Sequence, residues 1–179
     1  SKGYPFVLEM AKAEKERVDA GGEKRFHFDF AGKFFEDSEK EYFEGCVKDN
    51  KLEDYVTYHG IVGGEKKKNL LKECYIFALP TRYPNEGQPI SILEAMGNGM
   101  FIITTDHAGI PDIVGEEDGI ILKSNAKPAD VSDIIQSKSN IEILQVCKRN
   151  RKKIETSFKQ ENYLFNMKGT FSEVLLGED

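Results

Sequence analysis

Apolar and polar positions in this chain follow two rhythms. Phe26-His27-Phe28-Asp29-Phe30-Ala31-Gly32 switches at every residue, the period of a half-buried strand, with the phenylalanines on one side and His27 and Asp29 on the other. Apolar runs at 55–61, 75–79, 100–104 and 119–122 are of strand length and bounded by turn residues. Between them the spacing lengthens to three and four, as in Phe6, Val7, Met10 and Ala11, then Tyr42, Phe43, Cys46 and Val47, then Leu70 and Leu71. Val131, Ile134 and Ile135 repeat it, as do Ile141, Leu144, Cys147 and Ile154. The pattern predicts strands near 26–31, 55–61, 75–79, 100–104 and 119–122 with helices between. Such alternation specifies an α/β fold, a Rossmann-like parallel sheet with helices on both faces.

Boundary residues sharpen the elements. Lys2-Gly3 leads into the first helix, Pro5 lies near its first turn, and Gly21-Gly22 ends it. Ser38-x-x-Glu41 has the form of a capping box. Gly63-Gly64 precedes Lys66-Lys67-Lys68, read as the charged outer face of a short helix, although such a run also suits an anionic surface. Lys33, after Gly32, reads as a solvated lysine or one reaching a phosphate. Glu116-Glu117-Asp118-Gly119 is an acidic turn. Pro128 opens a further helix and Ser139-Asn140 caps the next, which ends among Arg149, Arg151, Lys152 and Lys153. Tyr163, Leu164, Met167, Phe171 and Leu175 predict a closing helix, whose stripe either joins the core or packs on a partner domain.

Composition excludes several classes. With 179 residues the chain is one domain, and 31% charged against 39% hydrophobic residues is ordinary for a globular one. A net charge of −6 argues against nucleic-acid binding. No apolar run approaches the ~20 residues of a membrane span, and no signal peptide is visible. Cys46, Cys74 and Cys147 are widely spaced and without His neighbours, so reduced buried thiols and a cytoplasmic setting are expected. His27, His59 and His107 are scattered, and no Asp-x-Asp is present, so neither a metal nor a cofactor is expected.

The chemistry concentrates between the third and fourth strands, in Pro84-Asn85-Glu86-Gly87-Gln88-Pro89-Ile90-Ser91-Ile92-Leu93-Glu94-Ala95-Met96. Ligands of open α/β sheets bind where such loops leave the carboxyl ends of the strands. Gly87 lets the backbone pass close to a ligand, and Pro89 fits the first helical position. The N–H groups of Ile90 and Ser91 then point out of the helix start, a site for phosphate or diphosphate. A carboxylate one turn in, Glu94, would repel phosphate but accept from hydroxyls such as those of a ribose. A diphosphate between two hydroxyl-binding carboxylates describes a nucleotide-sugar. Taken alone, Glu94 is equally a solvated helix residue.

The segment 86–97 resembles the E-x7-E motif of retaining glycosyltransferases with two Rossmann-like domains, the GT-B type. Phe101-Ile102-Ile103-Thr104-Thr105, Ala108-Gly109-Ile110-Pro111-Asp112 and Gly119-Ile120-Ile121-Leu122 resemble that family's closing strands and the loop between them. Lys2-Gly3 resembles the Lys-Gly that opens the domain's first helix, and residues 56–62 the strand beside the base pocket. The resemblance implies that Glu86 contacts the transferred sugar as the catalytic carboxylate and that Glu94 binds the ribose. Gly87, Gln88, Pro89, Ile90 and Ser91 would hold the diphosphate with Lys2, and Gly60 and Ile61 would border the base. It also implies a donor domain lacking its first strand, the phosphate-gripping Arg of that strand, and an amino-terminal acceptor domain. That domain would supply any peripheral membrane contact, and without it the chain would be inactive. Gln88 departs from the aromatic or small residue common in the family, and Asp112 from its usual Glu.

Two other classes frame this reading. A nicotinamide-dependent oxidoreductase would need G-x-G-x-x-G between a strand and a helix, whereas Gly97-Asn98-Gly99 follows a helix and acts as its stop. A non-catalytic nucleotide-binding module of the same fold would keep the pocket alone.

Overall fold

The computed structural model describes residues 2–158. Its order is α1 (Tyr4–Asp19), β1 (Phe28–Phe30), α2 (Asp37–Asp49), β2 (Val56–Tyr58), α3 (Gly64–Glu73), β3 (Ile76–Leu79), α4 (Ile90–Gly97), β4 (Phe101–Thr105), β5 (Gly119–Leu122), α5 (Pro128–Ser137) and α6 (Asn140–Ser157). Each expected strand is found, in several cases shorter than its apolar run. The expected closing helix lies outside the described residues. Among those described, no helix is long and apolar enough to cross a membrane.

All ladders are parallel, but the sheet is in two pieces. β1 pairs with β2, Phe28 opposite Val56, while β3, β4 and β5 form a second sheet with Ile76 opposite Phe101 and Ile102 opposite Gly119. The parallel α/β arrangement expected from the sequence is present, its ladders divided between these two sheets. β1 and β3 exchange no backbone hydrogen bonds among the described residues, although Phe28, Ile76 and Ala78 pack on the same core cluster. The Cys74 thiol lies 3.9 Å from Asp29 Oδ2 across this junction.

Every residue of β4 is buried, because helices cover both faces of its sheet. Phe101 and Ile103 pack with Met10, Val131, Ile135 and Ile143 on one side. Ile102 packs with Ile92, Met96, Ile110 and Ile113 on the other. Leu8, Ala11, Phe43, Leu52 and Val56 fill the third cluster, under α1 and α2. Asn150 of α6 donates from its Nδ2 to the carbonyls of Met100 and Asp118, 2.8 Å each, tying that helix to both strand ends.

Two boundaries differ from expectation. α2 starts at Asp37, with Glu36 as its N-cap, so Ser38 sits inside the helix and caps nothing. The carboxylate of Glu39, not Glu41, reaches back to the N–H of Phe35, 3.1 Å. The box at Ser139 and Glu142 is present in both directions.

Glu14 extends the apolar stripe of α1 and is 2% exposed. Its carboxylate accepts from Arg17, from Gln136 of α5, and from the backbone N–H groups of Arg25 and Phe26. It thus joins α1, the approach to β1, and α5. Burial by itself pushes Glu14 up, but Arg17 and the two amides outweigh it and hold the carboxyl below its ordinary 4.5. A depressed carboxyl contributes stability that is present above the unfolded value and lost as pH falls through the folded one. Urea midpoints of the wild type should therefore drop below about pH 4.5, and Glu14→Gln should lower stability at neutral pH while flattening that acid limb. Equal acid limbs in the two proteins would refute this role.

Candidate functional site

The β3–α4 loop is built on threonines that the strand ends supply. Thr105 Oγ1 donates to the Thr81 carbonyl, 2.5 Å, and Thr104 Oγ1 to that of Leu79, 2.9 Å, so the loop leaves β3 pinned to β4. Thr81, fully buried, donates its hydroxyl to Glu86 Oε2 at 2.9 Å and receives the N–H of Tyr83 at 3.2 Å. Glu86 N–H closes the turn on the Tyr83 carbonyl, 3.0 Å, which also accepts from His107 Nε2 at 2.8 Å. Gly109 backs the loop: a Cβ there would lie 3.2 Å from the Gly87 carbonyl and 3.0 Å from Gln88 Cγ.

Glu86 therefore arrives in a fixed place, its side chain 7% exposed. Both of its oxygens accept from Lys2 Nζ, at 3.0 and 2.9 Å, and Lys2 lies 5.2 Å above the Tyr83 ring. Lys2 reaches this position because Gly3 takes a left-handed φ of 85° and a Cβ there would stand 2.2 Å from the Pro80 carbonyl. Only glycine lets α1 begin this close to the end of β3.

Pro89 is the N-cap of α4, not its first helical residue, with φ −67° and ψ 112°. The correction is one position, because its carbonyl already accepts the N–H of Ile92, 3.0 Å. No side chain caps this helix, and among the described residues no protein acceptor takes the N–H of Ile90 or Ser91. A helix end in that condition favours an anion. One turn on, Glu94 Oε1 accepts from Lys67 Nζ of α3 at 2.6 Å, and both side chains are more than a third exposed. Glu86 and Glu94 thus flank an uncapped helix start, one met by Lys2 from the segment before α1 and the other by Lys67 of α3.

Across the junction, β1 and β2 end in a second loop pair. The N–H of Gly32 donates to the Gly60 carbonyl, 2.8 Å, and Gly60 takes a φ of 67°. Ile61, beside it, is 77% exposed. His59 Nε2 is 2.7 Å from Asp29 Oδ1. Burial first, then the Asp29 carboxylate, push the Cys74 thiol up to about 11, so it is no nucleophile at neutral pH. Cys46 and Cys74 are half-buried and Cys147 buried, all three free. Among the described residues no group of three His, Cys, Asp or Glu could hold a metal ion.

Of the residues expected from sequence, Lys2, Glu86, Gly87, Gln88, Pro89, Ile90, Ser91 and Glu94 all lie on the β3–α4 loop, on α4 or against them. Gly60 and Ile61 stand on the loop after β2. Thr81, Thr105 and Lys67 were not expected. Thr105 closes β4 and Thr81 follows β3 by two residues, so a threonine at the end of an apolar run was a usable signal for the first two. Lys67 precedes Leu70 and Leu71 by one turn and so shares their inward face, where a lysine is out of place. A hollow of about 330 Å³ beside Phe43, Val47, Val56 and Tyr58 holds none of the expected residues.

Comparison with known proteins gives this arrangement a family. Residues 1–156 match the family model described as glycosyl transferases group 1. Over 121 residues the chain is 28% identical to the amylovoran biosynthesis glycosyltransferase AmsK of Erwinia amylovora, covering 64% of this chain but 30% of that relative. Among solved structures, Anabaena Alr3699/HepE in complex with UDP-glucose superposes with a TM-score of 0.77 at 15% identity, over 96% of this chain and 45% of that one. The C-terminal domain of LpcC, a glycosyl transferase group 1 family protein from Francisella tularensis, gives 0.73 at 17% identity, over 89% and 81%. The chain thus spans less than half of AmsK and of Alr3699/HepE, and its fold is that of these GT-B neighbours.

Proposed function

The chain belongs to group 1 of the glycosyl transferases, and from that premise we propose that it is the donor-binding half of a retaining enzyme. That enzyme moves a sugar from a nucleotide diphosphate-sugar to an acceptor. The observation that carries the proposal is the uncapped start of α4 between the Lys2–Glu86 and Lys67–Glu94 pairs.

On this reading the N–H groups of Ile90 and Ser91 take the diphosphate together with Lys2, and Gly87 and Gln88 lie along it. Glu94 accepts from the ribose hydroxyls, and Gly60 and Ile61 border the base. Glu86 orients the transferred sugar, its carboxylate already held by Thr81 and Lys2. As the glycosidic C–O bond breaks, negative charge grows on the diphosphate, and fixed N–H donors with a lysine stabilise it without a metal. Glu86 and Glu94 serve different parts of one ligand, so the paired carboxyls of a double-displacement glycosidase, about 5 Å apart, are not the model.

Transfer itself requires an acceptor side, which the proposal assigns to an amino-terminal domain of the GT-B type. The Arg-bearing strand before α1 would belong to the donor domain itself, and any peripheral membrane contact to the amino-terminal domain. The setting proposed for the whole is cytoplasmic. A non-catalytic module that kept this pocket would bind the same donors.

A thermal-shift panel of uridine, guanosine and adenosine diphosphate-sugars tests the reading. One base should raise the melting temperature by about 3–5 °C at tenfold excess over its Kd, since ligand binding adds to stability by mass action. A panel without any shift would remove the donor-site assignment.

A further inference from the structure

Of the three adjacent lysines of α3, two serve their own neighbourhood. Lys68 pairs with Glu65 one turn back at 2.6 Å, and Lys66 reaches the His59 carbonyl at 3.4 Å. Lys67 alone of the three crosses to another helix. It is half-buried between exposed neighbours and donates to Glu94 Oε1 at 2.6 Å. Oε2 of Glu94 has no protein donor among the described residues. An ion pair this exposed contributes little to folding, on the order of 1 kcal/mol or less as a general rule. α3 buries no residue fully, so the contact does not belong to a packed core.

We propose that Lys67 is a positioning residue of the nucleotide site: it clamps one oxygen of Glu94 and turns the other toward the ligand's ribose hydroxyls. This rests on the donor-site reading above and deepens it. Glu94 has several rotatable bonds, and a carboxylate that must accept from a vicinal diol gains from being held in one orientation before the ligand arrives. The clamp also adds a positive charge near α4, which a diphosphate alone would feel. Positioning of Glu94 and direct attraction of phosphate therefore make different forecasts, and the ribose hydroxyls separate them.

The test is calorimetric titration of wild type, Lys67→Met and Lys67→Arg with uridine, guanosine and adenosine diphosphates, each beside its 2′,3′-dideoxy counterpart. For the base that binds, Lys67→Met should weaken the ribonucleotide about tenfold, the worth of one charge-assisted hydrogen bond. The dideoxy form should be unaffected, and Lys67→Arg should restore most of the loss. The ligand-free melting temperature of Lys67→Met should stay within about 2 °C of wild type. Equal losses for ribo and dideoxy ligands would assign Lys67 to the phosphates and overturn the proposal, as would unchanged affinity for both. If Glu94→Ala loses binding while Lys67→Met keeps it, only the role of Lys67 falls. Absence of binding by the wild type to every diphosphate would remove the donor-site reading and this role together.

Discussion

Glu94→Ala should lose about two orders of magnitude in affinity for the nucleotide diphosphate-sugar while leaving the fold intact. Hydrogen bonds to a charged group are worth about 1.5–3 kcal/mol each, so a carboxylate serving two hydroxyls accounts for about a hundredfold in Kd even at the low end. The truncation leaves hydroxyls of a bound ribose without an acceptor, and sites built to bond a hydroxyl discriminate strongly when that bond is gone. The free protein hardly notices, since Lys67 is 39% exposed and water takes over its charge. Isothermal titration gives the affinity and a ligand-free melt gives the stability. Wild-type affinity in Glu94→Ala would make Glu94 an ordinary surface residue and dissolve the proposed ribose subsite.

The second large effect is on folding. Gly119→Ala is expected to destabilise the chain by about 3 kcal/mol, at the upper end of overpacking costs. A Cβ at Gly119 would lie 1.8 Å from the Ile102 carbonyl oxygen and 2.6 Å from its carbon. Both atoms belong to the backbone of β4, buried on both faces and hydrogen-bonded to β3 as well as β5. The start of β5 must therefore peel away, disturbing Asp118, whose carboxylate holds Lys153 and the N–H of Gly115. Gly115→Ala is the control, because the atoms its Cβ would meet belong to the Glu117 side chain, which can swing aside. Urea unfolding of both variants decides the matter. A Gly119→Ala midpoint equal to that of Gly115→Ala would show that β5 accommodates the methyl group.

How much of this was legible in the sequence depends on the range of the interaction. The β4 run 101–105 and the strand 119–122 could be read because buried parallel strands are apolar throughout and end at turn residues. The β3–α4 loop was legible because its glycine, proline and glutamates lie within one short stretch. Lys67 was not, since its partner Glu94 is 27 residues on and local pattern reads a lysine run as solvated. Glu14 was missed for the same reason: its partners come from α5 and from the approach to β1. The one-residue offset at Pro89 and the false capping box at Ser38 show the resolution of boundary signals, which depend on ψ angles that composition does not fix. The division between β1 and β3 has no local signature, because edge and central strands of this length carry similar residues.

That division has a practical bearing. Among the described residues β1 and β3 each keep one rim of peptide groups outside any ladder, and an extended segment that parted their packed side chains would add there, one route by which polypeptides adhere. Measured affinities and melting temperatures of this chain therefore carry meaning only when they hold over a range of protein concentrations. Dilution series belong beside every titration described above.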